Sequence, residues 1–219
     1  MCAAVKSSSQ PTRARRGRPA AASVPDIAVR LIDETSRVLA TEGAGALTVR
    51  RLAAATGTST MAIYTRFGDK RGLLAATYRA VFERLGAQLR KVVATDDALA
   101  DLLSVGLAFR AAAFANPHLY QLMFSRPIAD FEPDETERVI ARSAYQPLLD
   151  GVVRCLDAGV MTGATTGADA DDIARFLWTV AHGQVSLEIA GHGPSTSPPE
   201  GGYRQALLLA GMPFVVSAN

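Results

Sequence analysis

The chain has 219 residues, 48% of them apolar, with a formal net charge of +2, enough length for one large domain or two small ones around a buried core. Cys2 and Cys155 are far apart and share no ligand spacing with His118, His182 or His192, which excludes a disulfide framework or a Cys/His metal site and predicts a reduced, cytoplasmic protein. No run approaches the ~18 uninterrupted apolar residues of a membrane helix, and no apolar stretch follows the first arginines, so neither a membrane partner nor export is expected.

The small net charge hides an asymmetry. Residues 1–90 hold 15 Lys and Arg against 6 Asp and Glu, whereas residues 91–219 hold 8 against 15. A basic first part suits a polyanion, and an acidic remainder does not. Arginine outnumbers lysine 20 to 3; genome base composition can produce that bias, so it is not evidence of phosphate contacts.

Residues 1–24 are rich in Ala, Ser, Pro and Arg without periodicity and are predicted to form a disordered basic arm. Arg13, Arg15, Arg16 and Arg18 within it could enter a narrow minor groove, or serve only as an electrostatic aid. Arg16-Gly17-Arg18-Pro19 resembles an AT-hook. A first helix is predicted from about Pro25, with Asp26 at its positive end and Ile27, Leu31, Val38 and Leu39 at helical spacing, stopping at Gly43.

Residues 48–67 carry the strongest signal. Thr48 caps a short Ala-rich helix with Leu52 and Ala53 inward and Arg50 and Arg51 outward, and the small Ala53, Ala54 and Ala55 permit a close crossing. Gly57 breaks it, and a second short helix opens near Ser59. That helix leads with small or hydroxylated groups and is flanked by arginines, a surface built for close approach to a groove such as the major groove of DNA. Asp69 then caps a fourth helix running to about Val93, with Leu74, Tyr78, Val81, Leu85 and Leu89 as its apolar stripe and Leu73 and Phe82 beside it. Lys70 and Arg71 stand at its positive end, where an external anion such as a DNA phosphate would offset the unfavourable charge.

Every later periodic segment reads as helix. One spans Asp97 to Ala115, ended by Asn116-Pro117. A short aromatic one runs from His118 to Phe124. Another starts at Pro133-Asp134-Glu135 and carries Val139, Leu148, Leu149, Val152, Val153 and Leu156 on its apolar side, with Pro147 expected to kink or divide it. Thr162 to Gly167 reads as a loop, Asp169 begins a helix through Ile189, residues 191–202 read as irregular, and a last short helix is expected from Tyr203 to about Gly211. The predicted fold class is therefore all-α: a three-helix helix-turn-helix unit joined through a fourth helix to an α-helical bundle.

Residues 25–85 resemble the TetR family of bacterial transcriptional regulators, through Thr48-Val49-Arg50, Leu52-Ala53, Gly57, Ser59, Ile63-Tyr64, Phe67 and Lys70 followed by Leu73-Leu74. The resemblance implies domains at 1–24 (arm), 25–85 (DNA-binding) and 86–219 (effector-binding and dimerisation), and partners that are a pseudo-palindromic double-stranded operator, a small-molecule effector and a second copy of the chain. Arg50, Thr60, Met61 and Ala62 would lie nearest base edges, with Arg50 the candidate for a bidentate guanine contact and Met61 and Ala62 for thymine methyls. Thr48 belongs to the same motif. Tyr64, Thr65, Arg66 and Lys70 would hold the phosphate backbone, and Ile63 and Phe67 would pack the core.

The second half is similar to a ligand-binding subgroup through Asn116 to Phe124 and Trp178-Thr179-Val180-Ala181-His182-Gly183. By that resemblance, the dimer interface is expected at about 169–190 and 203–211. Phe109, Phe114, Tyr120, Met123, Phe124, Tyr145, Trp178 and His182 are the candidates for lining a largely apolar effector pocket, with ordinary core packing as the alternative for each. No cofactor or metal is implied. A Gly-x-Ser-x-Gly elbow, a phosphate loop, a His-Glu-x-x-His helix and paired cysteines are all lacking, and the run Asp169-Ala170-Asp171-Asp172 lacks the glycine and glutamate of a calcium loop, so no enzyme is expected. The competing reading is an architectural DNA coater that uses the basic arm with little sequence preference.

Overall fold

The structure, a computed structural model, describes residues 26–124, 131–193 and 199–216. The basic arm with Arg13, Arg15, Arg16 and Arg18, and Pro25 after it, lie outside the described residues. The described chain is all-α, and its one β-type feature among those residues is a single antiparallel bridge between Met161 and Val215.

The helix starts follow from local chemistry. α1 (Ile27–Glu42) begins one residue after Asp26, whose carboxylate accepts from the Ala28 N–H at 3.2 Å, so the aspartate caps the helix from outside its first turn. Thr48 caps α2 (Val49–Thr56) and Ser59 caps α3 (Thr60–Phe67). Asp69 caps α4 (Lys70–Leu89), and Asp97 caps α5 (Ala98–Ala115). α6 spans Pro117–Phe124. Full capping boxes open α7 (Glu135–Ser143) at Asp134 with Glu137, and α9 (Ala170–Ile189) at Asp169 with Asp172. Between these two lies α8 (Gln146–Asp157), and α10 (Pro199–Gly211) closes the chain with a 3-10 turn at Met212–Phe214.

Several expectations need correction. α4 stops at Leu89, four residues short of Val93, which stands 77% exposed with nothing to pack on. Of Ala53, Ala54 and Ala55 only Ala53 is buried. The division expected at Pro147 is present: the break falls at Ala144 and Tyr145, leaving the proline in the first turn of α8, where its missing N–H costs nothing. The rotation lost there turns Val139 and Val153 outward, while Leu148 and Val152 stay buried. Residues 199–202 are helical, because Pro199 and Glu200 suit a first turn. α5 is apolar enough in composition to cross a membrane, yet it runs among α4, α6, α8, α9 and α10 with both its charges paired, Asp101 to Arg154 at 3.0 Å and Arg110 to Glu188 at 2.6 Å.

The buried side chains form two clusters. One is built by Leu31, Val38, Leu39, Leu52, Ile63, Leu73 and Leu74, with Phe131 added from far along the chain. The other runs from Val81 through α5, α8, α9 and α10 to Phe214. Tyr78 of α4 packs against both, so α4 is the shared beam. α6 lies on α1 and α7 on α4, which ties the bundle to the first three helices.

Candidate functional site

α3 is positioned by its ends and one inward side chain. The Ser59 hydroxyl accepts from the Ala62 N–H at 3.1 Å. Gly57 takes a left-handed conformation (φ 65°) that lets α2 end and the chain turn at once. At the far end, a Cβ on Gly72 would meet the Phe67 carbonyl oxygen at 1.9 Å, so glycine there permits the last turn of α3 to sit on the first turn of α4. Ile63 is buried at 2% exposure and Phe67 half-buried. Thr60, Met61, Ala62, Tyr64, Thr65 and Arg66 all face outward, Met61 at 71%. A short helix that leaves a methionine and a tyrosine in water retains apolar area for a partner to cover.

Around this face the charges differ in their availability. Arg51 is held bidentately by Glu42 at 2.6 and 2.7 Å, and Arg66 pairs with Asp26 at 2.7 Å. Arg50 is exposed and Lys70 half-buried, and neither has a carboxylate partner among the described residues. Thr48 spends its hydroxyl on the α2 cap, accepting from the Arg51 N–H at 3.2 Å. Thr65 donates to the Met61 carbonyl at 2.9 Å, which leaves its methyl and oxygen lone pairs outward.

Arg71 is engaged within the protein. It reaches the buried Glu137 carboxylate at 3.8 Å, donates to the Glu132 carbonyl at 3.4 Å, and lies over the Phe131 ring at 5.6 Å. Arg79 takes the other Glu137 oxygen at 3.2 Å. Glu137 is thus a nearly inaccessible carboxylate, 2% exposed, between two arginines of α4. The sequence signals its helix cap but not its ion pairs, because Arg79 is 58 residues away.

The second candidate site is an aromatic cluster in the bundle. His182 has the rings of Phe124, Trp178 and Phe109 at 4.2, 4.5 and 4.8 Å between centroids, with Tyr120 at 5.8 Å. The Tyr120 hydroxyl lies 3.1 Å from His182 Nδ1 and 2.8 Å from Ser186 Oγ, and it can donate to the His182 carbonyl at 3.2 Å. Ser186 is a member that sequence reading missed; its signal was its position four residues after His182. Burial lowers the His182 imidazole to about 4, so it is neutral near pH 7, and its Nε2 has no hydrogen-bond partner among the described residues.

The other sequence candidates distribute unevenly. Tyr145 packs edge-on to Trp178 at 5.4 Å and donates to Asp171, while burial and that carboxylate push its phenol up to about 12. Met123 is half-buried at the edge of the cluster. Phe114 stands apart, 39% exposed beneath the Arg110 guanidinium at 4.4 Å.

Two cavities open on either side of Phe109. One, of about 460 Å³, lies between α4, α5 and α6 and has Arg84, Gln88 and Asn116 among its walls with Tyr120, Met123 and Phe124. The other, of about 480 Å³, lies between α5, α8, α9 and α10 and is bordered by Trp178, Leu102, Met161 and Leu207. Cys155 is buried, its thiol pushed up to about 11 by desolvation, which makes it an inert packing group. Among the described residues no group of three or more His, Cys, Asp or Glu could hold a metal.

Comparison with known proteins places the two parts of the chain in one family. The family profile described as "Bacterial regulatory proteins, tetR family" matches residues 31–77, and one described as "Tetracyclin repressor-like, C-terminal domain" matches residues 102–208. Together they span well over half of the chain. No curated protein matches the sequence. Among solved structures, the chain is similar to a protein of unknown function from Rhodococcus sp. RHA1, at 22% identity and a TM-score of 0.73, covering 91% of this chain and 100% of that one. It is similar to a TetR family transcription regulator from Marinobacter aquaeolei VT8 at 17% identity and a TM-score of 0.68, covering 87% and 96%. A third likeness is to the TetR family transcriptional regulator PfmR from Thermus thermophilus, at 20% identity and a TM-score of 0.64, covering 84% and 97%. At these identities the structures speak for the fold.

Proposed function

Because this chain belongs to the tetR family of bacterial regulatory proteins, with a helix-turn-helix DNA-binding unit and a ligand-binding C-terminal part, we propose that it is a cytoplasmic, homodimeric repressor that a small, largely apolar effector releases from a pseudo-palindromic operator. The observation that carries the reading is α3, a helix with six outward side chains and one fully buried one. Such a helix enters a major groove without unfolding anything. Arg50, Thr60, Met61 and Ala62 read base edges, while Thr48, Tyr64, Thr65, Arg66 and Lys70 set register on the phosphates. Arg66 exchanges Asp26 for a phosphate, and the arm with Arg13, Arg15, Arg16 and Arg18 adds minor-groove or electrostatic affinity. In this reading residues 25–85 are the DNA-binding domain and 86–219 bind effector and partner.

Dimerisation is supported by apolar side chains left outside on adjacent helices: Phe176 and Leu187 of α9, and Leu208, Leu209 and Met212 around α10. Covering that face with a second copy, through about 169–190 and 203–211, removes the exposed patch and sets the spacing of the two α3 helices. The chemistry proposed for both sites is recognition.

The test is DNase footprinting of purified protein on the DNA flanking its own gene, at two salt concentrations. A protected two-fold-symmetric site is expected, bound far more tightly than random DNA of equal length. A specificity ratio near unity, with affinity set by salt alone, replaces this reading with arm-driven coating.

A further inference from the structure

The cavity between α5, α8, α9 and α10 is unusual for what its walls lack. Among the described residues seventeen border it, none of them charged and none bearing a hydroxyl, amide or imidazole, and the Trp178 indole is the one side chain of these with an N–H. Its volume, about 480 Å³, falls within the range of small-molecule sites, roughly 300–1,000 Å³. It opens to solvent at its outer side, where Leu208 and Met212 stand 44% and 65% exposed, so it is an apolar groove at the bundle surface of the kind that an occupant covers. The cavity across Phe109 has Arg84, Gln88 and Asn116. The two sides of one phenylalanine therefore differ in the polar groups they offer an occupant.

We infer that the cavity between α5, α8, α9 and α10 is the effector site and that it takes a neutral, lipophilic, ring-bearing molecule. The assignment rests on the reading above that the bundle binds an effector. A carboxylate or sulfonate would lie against these walls with no countercharge and no donor beyond one indole, which disfavours anionic relatives of the same skeleton. Phe109 and Trp178 supply flat faces for rings at the inner wall. The outer wall is α10, through Leu207, Leu208 and Met212, of which the last two are also exposed on the proposed dimer face. An occupant therefore presses on the dimer helix from inside. It changes the spacing of the two heads through the partner contact, a route different from pressure on α4 or α6.

A matched pair of dyes tests this on the full-length protein: N-phenyl-1-naphthylamine, which is neutral, and 1-anilinonaphthalene-8-sulfonate, which has the same rings and a negative charge. The neutral dye is expected to bind with enhanced emission and to quench Trp178, the chain's only tryptophan, by energy transfer, and the sulfonate to bind at least tenfold more weakly. Ala181→Leu and Leu103→Trp fill this cavity and should each weaken the neutral dye at least tenfold, read by the dye's own emission. Ala108→Phe fills the other cavity and should leave it within about twofold.

Equal affinity for both dyes, or loss of binding in the Ala108→Phe variant alone, overturns the assignment. So does uptake that falls as protein concentration is raised through dimerisation, which would mean that a second copy fills the space. A gel shift on the same preparations, with a palindrome selected from randomised DNA, separates the two levels. Lost dye binding with DNA binding intact sinks only this site, whereas absent DNA binding sinks the regulatory reading itself.

Discussion

α3 and the aromatic cluster of the bundle are opposite solutions to carrying function on a helix. α3 keeps six side chains in water and is held by a cap at one end, a glycine-permitted contact at the other, and Ile63 between. α9 turns Trp178 and His182 into a wall of rings, and the Tyr120 hydroxyl of α6 meets one of the two imidazole nitrogens, Nδ1, across the core. The difference teaches where stability and recognition separate. In the proposed reading they are different residues on α3, whereas Phe109 and Trp178 both pack the cluster and border the proposed effector site, so a change there disturbs fold and site together.

Substitutions can break or sharpen that contrast, beginning with the largest. Ile63→Ala removes the one fully buried side chain of α3 and should cost about 3 kcal/mol of stability, read as a shift in urea midpoint, with operator binding lost alongside. An unchanged midpoint would mean that α3 is held by its ends alone. The cluster should respond to acid. Between the ordinary histidine value near 6.5 and the folded value of about 4, the unfolded chain binds a proton that buried His182 does not. Stability is complete above that window and falls as pH drops through it, by about 1.4 kcal/mol per pH unit at most. His182→Phe should flatten that slope in chemical denaturation at pH 7, 6 and 5; a slope that persists assigns the acid sensitivity elsewhere.

Smaller effects come from groups that only recognise or only cap. Arg50→Ala should leave thermal stability within about 0.5 kcal/mol and weaken operator binding by about 1–3 kcal/mol, relaxing preference at one base pair. A uniform loss on all sequences would make Arg50 a phosphate contact. Ser59→Ala should cost about 1 kcal/mol through the lost α3 cap, with equal weakening on specific and random DNA. Gel shifts paired with melting curves distinguish these two variants.

Much of this was legible in the linear order of residues, because much of it is local. Thr48, Ser59, Asp69 and Asp169 announce helix starts since a side-chain oxygen two or three residues from a free N–H satisfies it in any surroundings. Gly57 marks the turn because a residue without a Cβ takes the left-handed conformation that ends a helix. Reading failed where neighbours decide. Val139 has the right spacing for a core position, but the break at Ala144 and Tyr145 rotates it outward. Val93 continues an apolar pattern past the point where anything remains to cover it. Two glycines at 201–202 read as loop, yet sit inside the first turns of a helix that packs on α9. Of eight aromatic-pocket candidates, Phe114 faces out because Arg110, paired to Glu188, draws its ring to the surface.

By itself, the sequence determined the helices, their caps, the helix-turn-helix and the outward face of α3, all consequences of interactions spanning about four residues. The tertiary structure alone decided that Phe131 closes the first core, that Arg71 and Arg79 converge on Glu137, that Ser186 and His182 share the Tyr120 hydroxyl, and that Phe109 separates a polar-walled cavity from an apolar one. Each of these joins residues about 60 or more apart, or depends on how whole helices are rotated. Spacing specifies which face of a helix is apolar; only packing specifies what that face meets.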